Sequence, residues 1–143
     1  VVFPAGYQAH AATETCPGHS TILTGSHPAR TGIIANNWFD LSVARADKKL
    51  YCAEDPAVPG TSSASGQYAP SAGHLLTPTL GALMKARDPR SRVVAVAGKD
   101  RAAIMMAGRG ADEVLWLAPA GLTSYRGTAL SPMAGQAGRA IGA

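Results

Sequence analysis

Thr15 has the setting that a nucleophilic hydroxyl needs, in the run T-E-T-C-P-G-H at 13–19. Residues 7–12 alternate as a short strand does, and Thr13, Glu14 and Thr15 are typical of a helix start. The Thr15 hydroxyl would then lie beside unpaired N–H groups at the positive end of a helix, which suits an oxyanion. Attack would also need a metal or a base, because a threonine hydroxyl is a poor nucleophile near neutral pH. The alternative is that Thr15 is simply a helix N-cap.

The run G-K-D-R at 98–101 is a second candidate group. It follows the apolar run 92–97, and the carboxyl ends of buried strands often hold ligands. Lys99 and Arg101 could both contact a dianionic phosphate, with the arginine binding two oxygens at once. The alternative is a solvated turn in which Asp100 caps the following helix.

Cys16 and Cys52 leave three interpretations open: buried thiols, a disulfide, or half of a metal site. Cys16 adjoins Thr15 and Cys52 lies in a polar loop, so a disulfide could hold that loop to the site in an oxidising compartment. The spacing of Cys16 and His19, taken with Cys52 and His27, also allows a structural zinc site. The other two histidines, His10 and His74, are interpreted with His27 as ordinary polar residues.

The elements that would position these residues are of the α/β type. A helix is expected at 17–24, with Ile22 and Leu23 facing inward and Gly25 ending it. Residues 40–73 are rich in Lys, Asp, Pro, Ser and Gly, which predicts a long loop, most flexible at 59–66.

The second half of the chain predicts a β-α-β unit. Thr77 and Pro78 should start a helix that ends near Asp88 and covers a sheet with an apolar face of Leu80, Leu83 and Met84. A strand at 92–97, buried on both faces, a helix at 102–106 ended by Gly108, and a strand at 113–117 should follow. A last helix begins near Ser131, although its glycines weaken it.

Composition limits the classes of function. The 143 residues are 46% hydrophobic and 15% charged, which is typical of one globular domain. The net charge of +4 is scattered and only 6% of residues are aromatic, so we expect no nucleic-acid partner. No apolar stretch is long enough to span a membrane. Because the chain opens at Val1 without Met and closes on small residues, we interpret it as a fragment.

The run Y-Q-A-H-A-A-T-E-T-C-P-G-H-S-T-I-L-T-G-S-H-P-A-R-T-G-I-I-A-N-N-W-F-D resembles the threonine branch of the alkaline phosphatase superfamily. It is most similar to monoesterase-type bacterial alkaline phosphatases, which are related to nucleotide pyrophosphatases/phosphodiesterases. The resemblance implies part of an alkaline-phosphatase-like α/β fold, a mostly parallel sheet flanked by helices. It divides residues 1–143 into a nucleophile segment at 5–40, a flexible loop at 41–74, and a helix with the β-α-β unit at 77–117.

In that family the threonine before x-P-G-H is the nucleophile and a metal ligand, and the asparagine of the N-N-W run contacts phosphoryl oxygens. The resemblance therefore assigns these roles to Thr15 and Asn36, with Asn37 in reserve if the register differs by one. It assigns phosphate contacts to Lys99 and Arg101. The lysine and arginine favour monoesters, because a monoester carries more anionic oxygen than a diester.

The resemblance implies a periplasmic or secreted enzyme that hydrolyses small phosphate monoesters through a phosphothreonine intermediate with two zinc ions. Of the metal ligands it places only Thr15 in this chain; Asp40, Asp47 and Asp55 do not match the family's motifs. We therefore expect the isolated segment to be inactive, and to fold poorly because its sheet edges are open. The alternatives are a phosphodiesterase or nucleotide pyrophosphatase, and a non-catalytic phosphate-binding fragment.

Overall fold

A computed structural model describes residues 2, 4–59 and 66–141 of the chain. Most of the segment predicted to be the most flexible, 59–66, lies outside the described residues. Within them, helices and strands follow one another along the chain in this order: α1 Thr15–Thr24, α2 Pro28–Thr31, β1 Asn37–Phe39, β2 Lys49–Tyr51, α3 Leu80–Arg87, β3 Val94–Ala97, α4 Asp100–Ala107, β4 Glu113–Ala118, β5 Gly121–Thr123 and α5 Pro132–Ile141. In this part of the chain no helix is long and apolar enough to cross a membrane.

The predicted β-α-β unit is confirmed. Strands β3 and β4 pair in parallel, with Val96 opposite Leu115, and α4 is the crossover between them. Strand β5 extends the sheet on the other side of β4 in the antiparallel direction. The α/β class is therefore correct, and β3–β4 is the parallel pair among the described strands.

Helix α4 carries the centre of the core because its apolar residues face both the sheet and α1. Ile104 and Met105 are fully buried, and small residues such as Ala103 let α1 approach closely. The helix ends at Gly108, whose φ of 66° favours glycine. A side chain at Gly108 would also collide with Thr79, whose methyl carbon lies 2.6 Å from the position of a Cβ.

The segment predicted as a long loop at 40–73 contains a strand. Strand β2 pairs antiparallel with β1, with Trp38 opposite Leu50. Farther along, Glu54 is fully buried and accepts two hydrogen bonds from Arg45, at 2.8 and 3.0 Å. This buried ion pair makes the first part of the segment an ordered structure packed beside α1.

Several local predictions were wrong at the first helix and before it. Residues 7–12 form no strand, because no other described strand lies beside them to complete a ladder. Helix α1 begins at Thr15, two residues before the predicted start, and the N-terminal residue that caps it is Glu14. Ile22 does not face inward, since it is 72% exposed. Gly25 ends the helix as predicted, at φ 63°.

The apolar faces on the far side of the sheet were also mispredicted. Val94 and Val96 are each 57% exposed, so β3 is buried on one face only in the described chain. Helix α3 has no buried residue and begins after Thr79, not Thr77, so its face of leucines and Met84 does not cover the sheet. Both surfaces lack a covering element among the described residues.

Candidate active site

Thr15 is the first residue of α1, so it does not serve as the N-cap. Its side chain is half-buried, and its hydroxyl makes no hydrogen bond to any described residue. One ring nitrogen of His19, Nδ1, lies 2.8 Å from the Thr15 carbonyl oxygen and steadies the first turn. The hydroxyl of Thr15 is thus left free at the positive end of a helix.

Asn36 is fixed against the same helix end. Its side-chain oxygen accepts a hydrogen bond from the N–H of Cys16, at 2.9 Å, and its own N–H donates to the Glu14 carboxylate. The first bond sets the orientation of the amide, because only the oxygen can accept. The NH2 group of Asn36, which has no partner among the described residues, remains available as a donor.

This contact corrects one sequence-based expectation. The end of α1 was expected to present a row of unpaired N–H groups, but Cys16 donates to Asn36 and Pro17 has no N–H. Donors toward an anion must therefore come mainly from side chains at this corner.

Cys16 and Cys52 form a disulfide bond. The N–H of Cys52 also donates to the Asn36 carbonyl oxygen at 3.0 Å. The alternative zinc site built from these cysteines with His19 and His27 is excluded, because both sulfurs are bonded to each other. The disulfide holds the end of β2 directly against the helix that bears Thr15.

A buried carboxylate lies beyond the disulfide, and sequence reasoning did not identify its partners. Asp100 is 9% exposed, and both of its oxygens accept from the Tyr51 hydroxyl, at 3.0 and 2.9 Å. The Tyr68 hydroxyl donates to it at 2.5 Å. The two tyrosine rings meet edge to face, with centroids 4.9 Å apart. We call these three residues the Tyr–Asp–Tyr cluster.

Arg101 directly follows Asp100 in the sequence and lies beside the cluster. Its Nη1 lies 3.5 Å from the Tyr51 hydroxyl, which is long for a hydrogen bond. Its Nε is buried and has no partner among the described residues. Buried donors without partners are rare in native proteins and call for an explanation, such as a ligand. Lys99, the N-cap residue of α4, is exposed.

A cleft of about 250 Å³ opens over this cluster. Five residues line it: Asn37, Tyr51, Tyr68, Asp100 and Arg101. Asn37 is thus grouped with Arg101, whereas Asn36 is grouped with Thr15. The peptide between the two asparagines and the packing of α1 against α4 join both halves of the site.

Burial and hydrogen bonding keep Tyr51, Tyr68 and Arg101 in one protonation state over a wide pH range. Burial, the largest effect, raises the pKa of Tyr51 to about 12, although Arg101 lowers it. Burial and the hydrogen bond to Asp100 also raise the pKa of Tyr68. The Tyr51 hydroxyl raises the pKa of Arg101 further. Both tyrosines therefore remain donors, and Arg101 remains a cation, in moderately alkaline solution.

The described residues do not supply a metal centre by themselves. No three His, Cys, Asp or Glu side chains among residues 2, 4–59 and 66–141 are grouped so that they could hold an ion. Asp40 is at the surface, where hydrogen bonds from Ser42 lower its pKa.

The chain is similar in sequence to a family of phosphodiesterases and pyrophosphatases and to several alkaline phosphatases. A family model described as type I phosphodiesterase / nucleotide pyrophosphatase matches residues 2–129. The chain is 64% identical to alkaline phosphatase PhoK of a Sphingomonas species, over 98% of this chain and 25% of that protein. It is 62% identical to alkaline phosphatase PhoD of Zymomonas mobilis, over 80% of this chain and 19% of that protein. The chain thus spans a quarter or less of these relatives' length.

The fold is also similar to part of a solved alkaline phosphatase structure. The crystal structure of wild-type alkaline phosphatase PafA matches with a TM-score of 0.71 and 29% identity, covering 89% of this chain and 25% of that one. A PafA mutant substituted at a threonine, an asparagine, a lysine and an arginine matches with a TM-score of 0.61 over 76% of this chain.

Proposed function

The chain belongs to the type I phosphodiesterase / nucleotide pyrophosphatase family, and on that premise we propose that it forms the nucleophile and phosphate-binding part of a phosphate monoesterase. The observation that carries this proposal is the unpaired hydrogen-bond donor of Arg101. Its guanidinium has a buried Nε–H without a partner among the described residues and lines a cleft beside Asn37. A doubly charged phosphoryl group would satisfy that donor and use the charge of Arg101.

Lys99 adds a second cation to the proposed phosphate site. It lies at the start of α4, two residues before Arg101, and its ammonium group is exposed. Two cations suit the dianionic phosphoryl group of a monoester better than the monoanionic group of a diester. Since a loose phosphoryl transition state spreads charge over the outer oxygens, fixed cations also stabilise it.

Thr15 is the proposed nucleophile. Its oxygen would form a bond to phosphorus while the bond from phosphorus to the leaving oxygen breaks, which gives a phosphothreonine and an alcohol. Water then cleaves the phosphothreonine, so that one water is consumed and inorganic phosphate is released. The free hydroxyl of Thr15 supports this role, and the NH2 of Asn36, which has no partner among the described residues, would donate to the phosphoryl oxygens.

The substituted PafA protein supports the same assignment. The asparagine changed in that protein follows the changed threonine by 21 positions, and the lysine and arginine are two positions apart. Asn36 follows Thr15 by the same 21 positions here, and Arg101 follows Lys99 by two. This spacing favours Asn36 over Asn37 as the partner of Thr15.

Zinc dependence is a proposal for the full-length protein, because the described residues contain no set of ligands that fits a metal. Thr15 is the ligand that we assign from this chain. A bound metal would favour the alkoxide of Thr15 and stabilise the leaving oxygen. The disulfide supports a periplasmic or secreted location, since such bonds persist in oxidising compartments.

The family's description favours one rival, a phosphodiesterase. The monoesterase and the phosphodiesterase are distinguished by assaying the full-length protein on p-nitrophenyl phosphate, a monoester, and on bis(p-nitrophenyl) phosphate, a diester. We expect the monoester to be the better substrate, and its advantage to decrease in Arg101→Ala and Lys99→Ala. Thr15→Ala should lower the monoesterase rate by at least ~10³-fold, as loss of a nucleophile does, whereas Thr13→Ala should have little effect. A diester preference in the unsubstituted protein, or a normal rate in Thr15→Ala, would overturn the proposal.

A further inference from the structure

The Tyr–Asp–Tyr cluster has no part in the chemistry assigned above, yet it adjoins the residue that carries that assignment. We propose that Tyr51 and Tyr68, acting through Asp100, are positioning residues that keep Arg101 free to bind the phosphoryl group. The inference rests on the proposed function and adds to it the reason why Arg101 is available.

The cluster places the backbone of Arg101. Asp100 is the first residue of α4, and its carboxylate is held by hydroxyls from two different segments, residue 51 at the end of β2 and residue 68 in the loop beyond it. Because Arg101 is the next residue, its backbone position follows from that of Asp100. The Tyr51 hydroxyl also reaches the guanidinium directly, at 3.5 Å from Nη1.

The cluster also removes a competitor for the guanidinium. Asp100 and Arg101 are adjacent and opposite in charge, yet no ion pair between them occurs in the described structure. The buried carboxylate instead receives all its hydrogen bonds from neutral hydroxyls, which satisfy it without cancelling the arginine's charge. If a hydroxyl were lost, the carboxylate would need another donor. Lys99 and Arg101 both adjoin Asp100 in sequence, but Lys99 is exposed, whereas the Arg101 guanidinium already reaches the cluster, with Nη1 3.5 Å from the Tyr51 hydroxyl.

The backbone of Tyr51 is held by contacts on both sides, which fixes the position from which its hydroxyl reaches Asp100. The Tyr51 N–H donates to the Glu54 carboxylate at 2.7 Å, and that carboxylate is paired with Arg45. The next residue, Cys52, is bonded through its sulfur to Cys16, which adjoins Thr15. The same short stretch of chain therefore contacts the nucleophile's helix and the arginine's helix.

A double-mutant cycle in the full-length protein tests the inference. Tyr51→Phe and Tyr68→Phe are each made in the unsubstituted protein and in Arg101→Ala. The assays are kcat/KM on p-nitrophenyl phosphate, inhibition by inorganic phosphate, and the melting temperature. Tyr125→Phe is the matched control, because Tyr125 is another partly buried tyrosine that packs edge to face, on Trp116, and makes no hydrogen bond to Asp100 or Arg101 in the described structure.

We expect each cluster variant to lower monoester kcat/KM and phosphate affinity about tenfold, the usual scale for one hydrogen bond to a charged group. In Arg101→Ala the same substitutions should cause no further loss, because residues that act as a unit are not additive. Tyr125→Phe should leave kcat/KM unchanged. Equal losses in both backgrounds, or no loss in a cluster variant that still melts cooperatively, would overturn the positioning role alone. An unchanged monoesterase rate in Arg101→Ala would overturn the proposed function together with this inference.

Discussion

The backbone N–H of Cys16 donates a 2.9 Å hydrogen bond to the side-chain oxygen of Asn36, which lies 20 residues farther along the chain. The contact caps the helix that begins at Thr15 and leaves the asparagine's NH2 group without a partner among the described residues. One residue thus has a structural role through its oxygen and a proposed binding role through its nitrogen.

Replacement of Asn36 should therefore affect both stability and activity. We expect Asn36→Ala to lower the free energy of unfolding by about 1 kcal/mol, as the loss of a helix cap does. Monoester kcat/KM should fall by roughly 10- to 100-fold, because a donor to the developing charge is also lost. Chemical denaturation and steady-state kinetics of the full-length protein measure the two effects. Asn37→Ala is the control, and a larger loss of activity there would move the assignment to Asn37.

The disulfide should contribute to stability and hold the site together. Cys16 and Cys52 are 36 residues apart, and closing a loop of that size stabilises a protein by about 3–4 kcal/mol through the unfolded chain. Joint replacement, Cys16→Ser with Cys52→Ser, should lower the denaturation midpoint and weaken inhibition by inorganic phosphate. Reductant added to the unsubstituted protein should have the same effect but should not change the double variant. A midpoint that is the same with and without the disulfide would contradict this prediction.

The Arg45–Glu54 pair should be the most sensitive ion pair in the described chain. Glu54 is fully buried and also accepts from the Tyr51 N–H, so Glu54→Ala removes the carboxylate that pairs with the buried Arg45 guanidinium and the acceptor of the Tyr51 amide. We expect a loss of about 3–5 kcal/mol in the free energy of unfolding.

The exposed pair of Asp88 and Arg90 is the matched control for that experiment. Its side chains are 44% and 90% exposed, so Asp88→Ala should leave the denaturation midpoint nearly unchanged. Equal denaturation midpoints for Glu54→Ala and Asp88→Ala would show that the buried pair does not hold the segment.

Stability should decrease in strongly alkaline solution. Burial, the largest effect in both residues, raises the pKa of Tyr51 and of Tyr125 to about 12. Unfolded tyrosine ionises near roughly pH 10, so the folded protein binds more protons between those two values. The stabilisation is complete below roughly pH 10 and is lost as the pH rises through about 12. Melting temperatures measured across this window should fall less steeply in Tyr51→Phe. They should keep the original slope in Tyr7→Phe, since Tyr7 is 88% exposed.

Local sequence patterns predicted much of the second half of the fold. The parallel strands β3 and β4 and the helix between them were recognised, because an apolar run, a glycine stop and a helical apolar face are local signals. Gly25 and Gly108 end their helices for the same reason. Strand β2 was missed, since it has three residues and exists only through its pairing with β1.

The candidate site likewise has residues that local motifs indicate and residues that only three-dimensional contacts reveal. Thr15, Asn36, Lys99 and Arg101 were selected from short motifs, and their assigned roles remain predictions. The partners of Asp100 could not be selected, because Tyr51 and Tyr68 are 49 and 32 residues away and belong to no motif. The weak signal available was that Tyr51 directly precedes a cysteine proposed to lie near the site.

The sequence by itself indicated, through the family motifs that it carries, which side chains could act on a phosphate. It also determined several of the short segments that present them, because capping and periodicity are local properties. Only the tertiary structure decided how those segments meet. It showed that Asn36 occupies the helix end expected to offer free N–H groups. It also showed that two tyrosines, rather than Arg101, satisfy the buried charge of Asp100. The physical reason is that a buried polar group must find a partner, and the partner is chosen by three-dimensional packing rather than by distance along the chain.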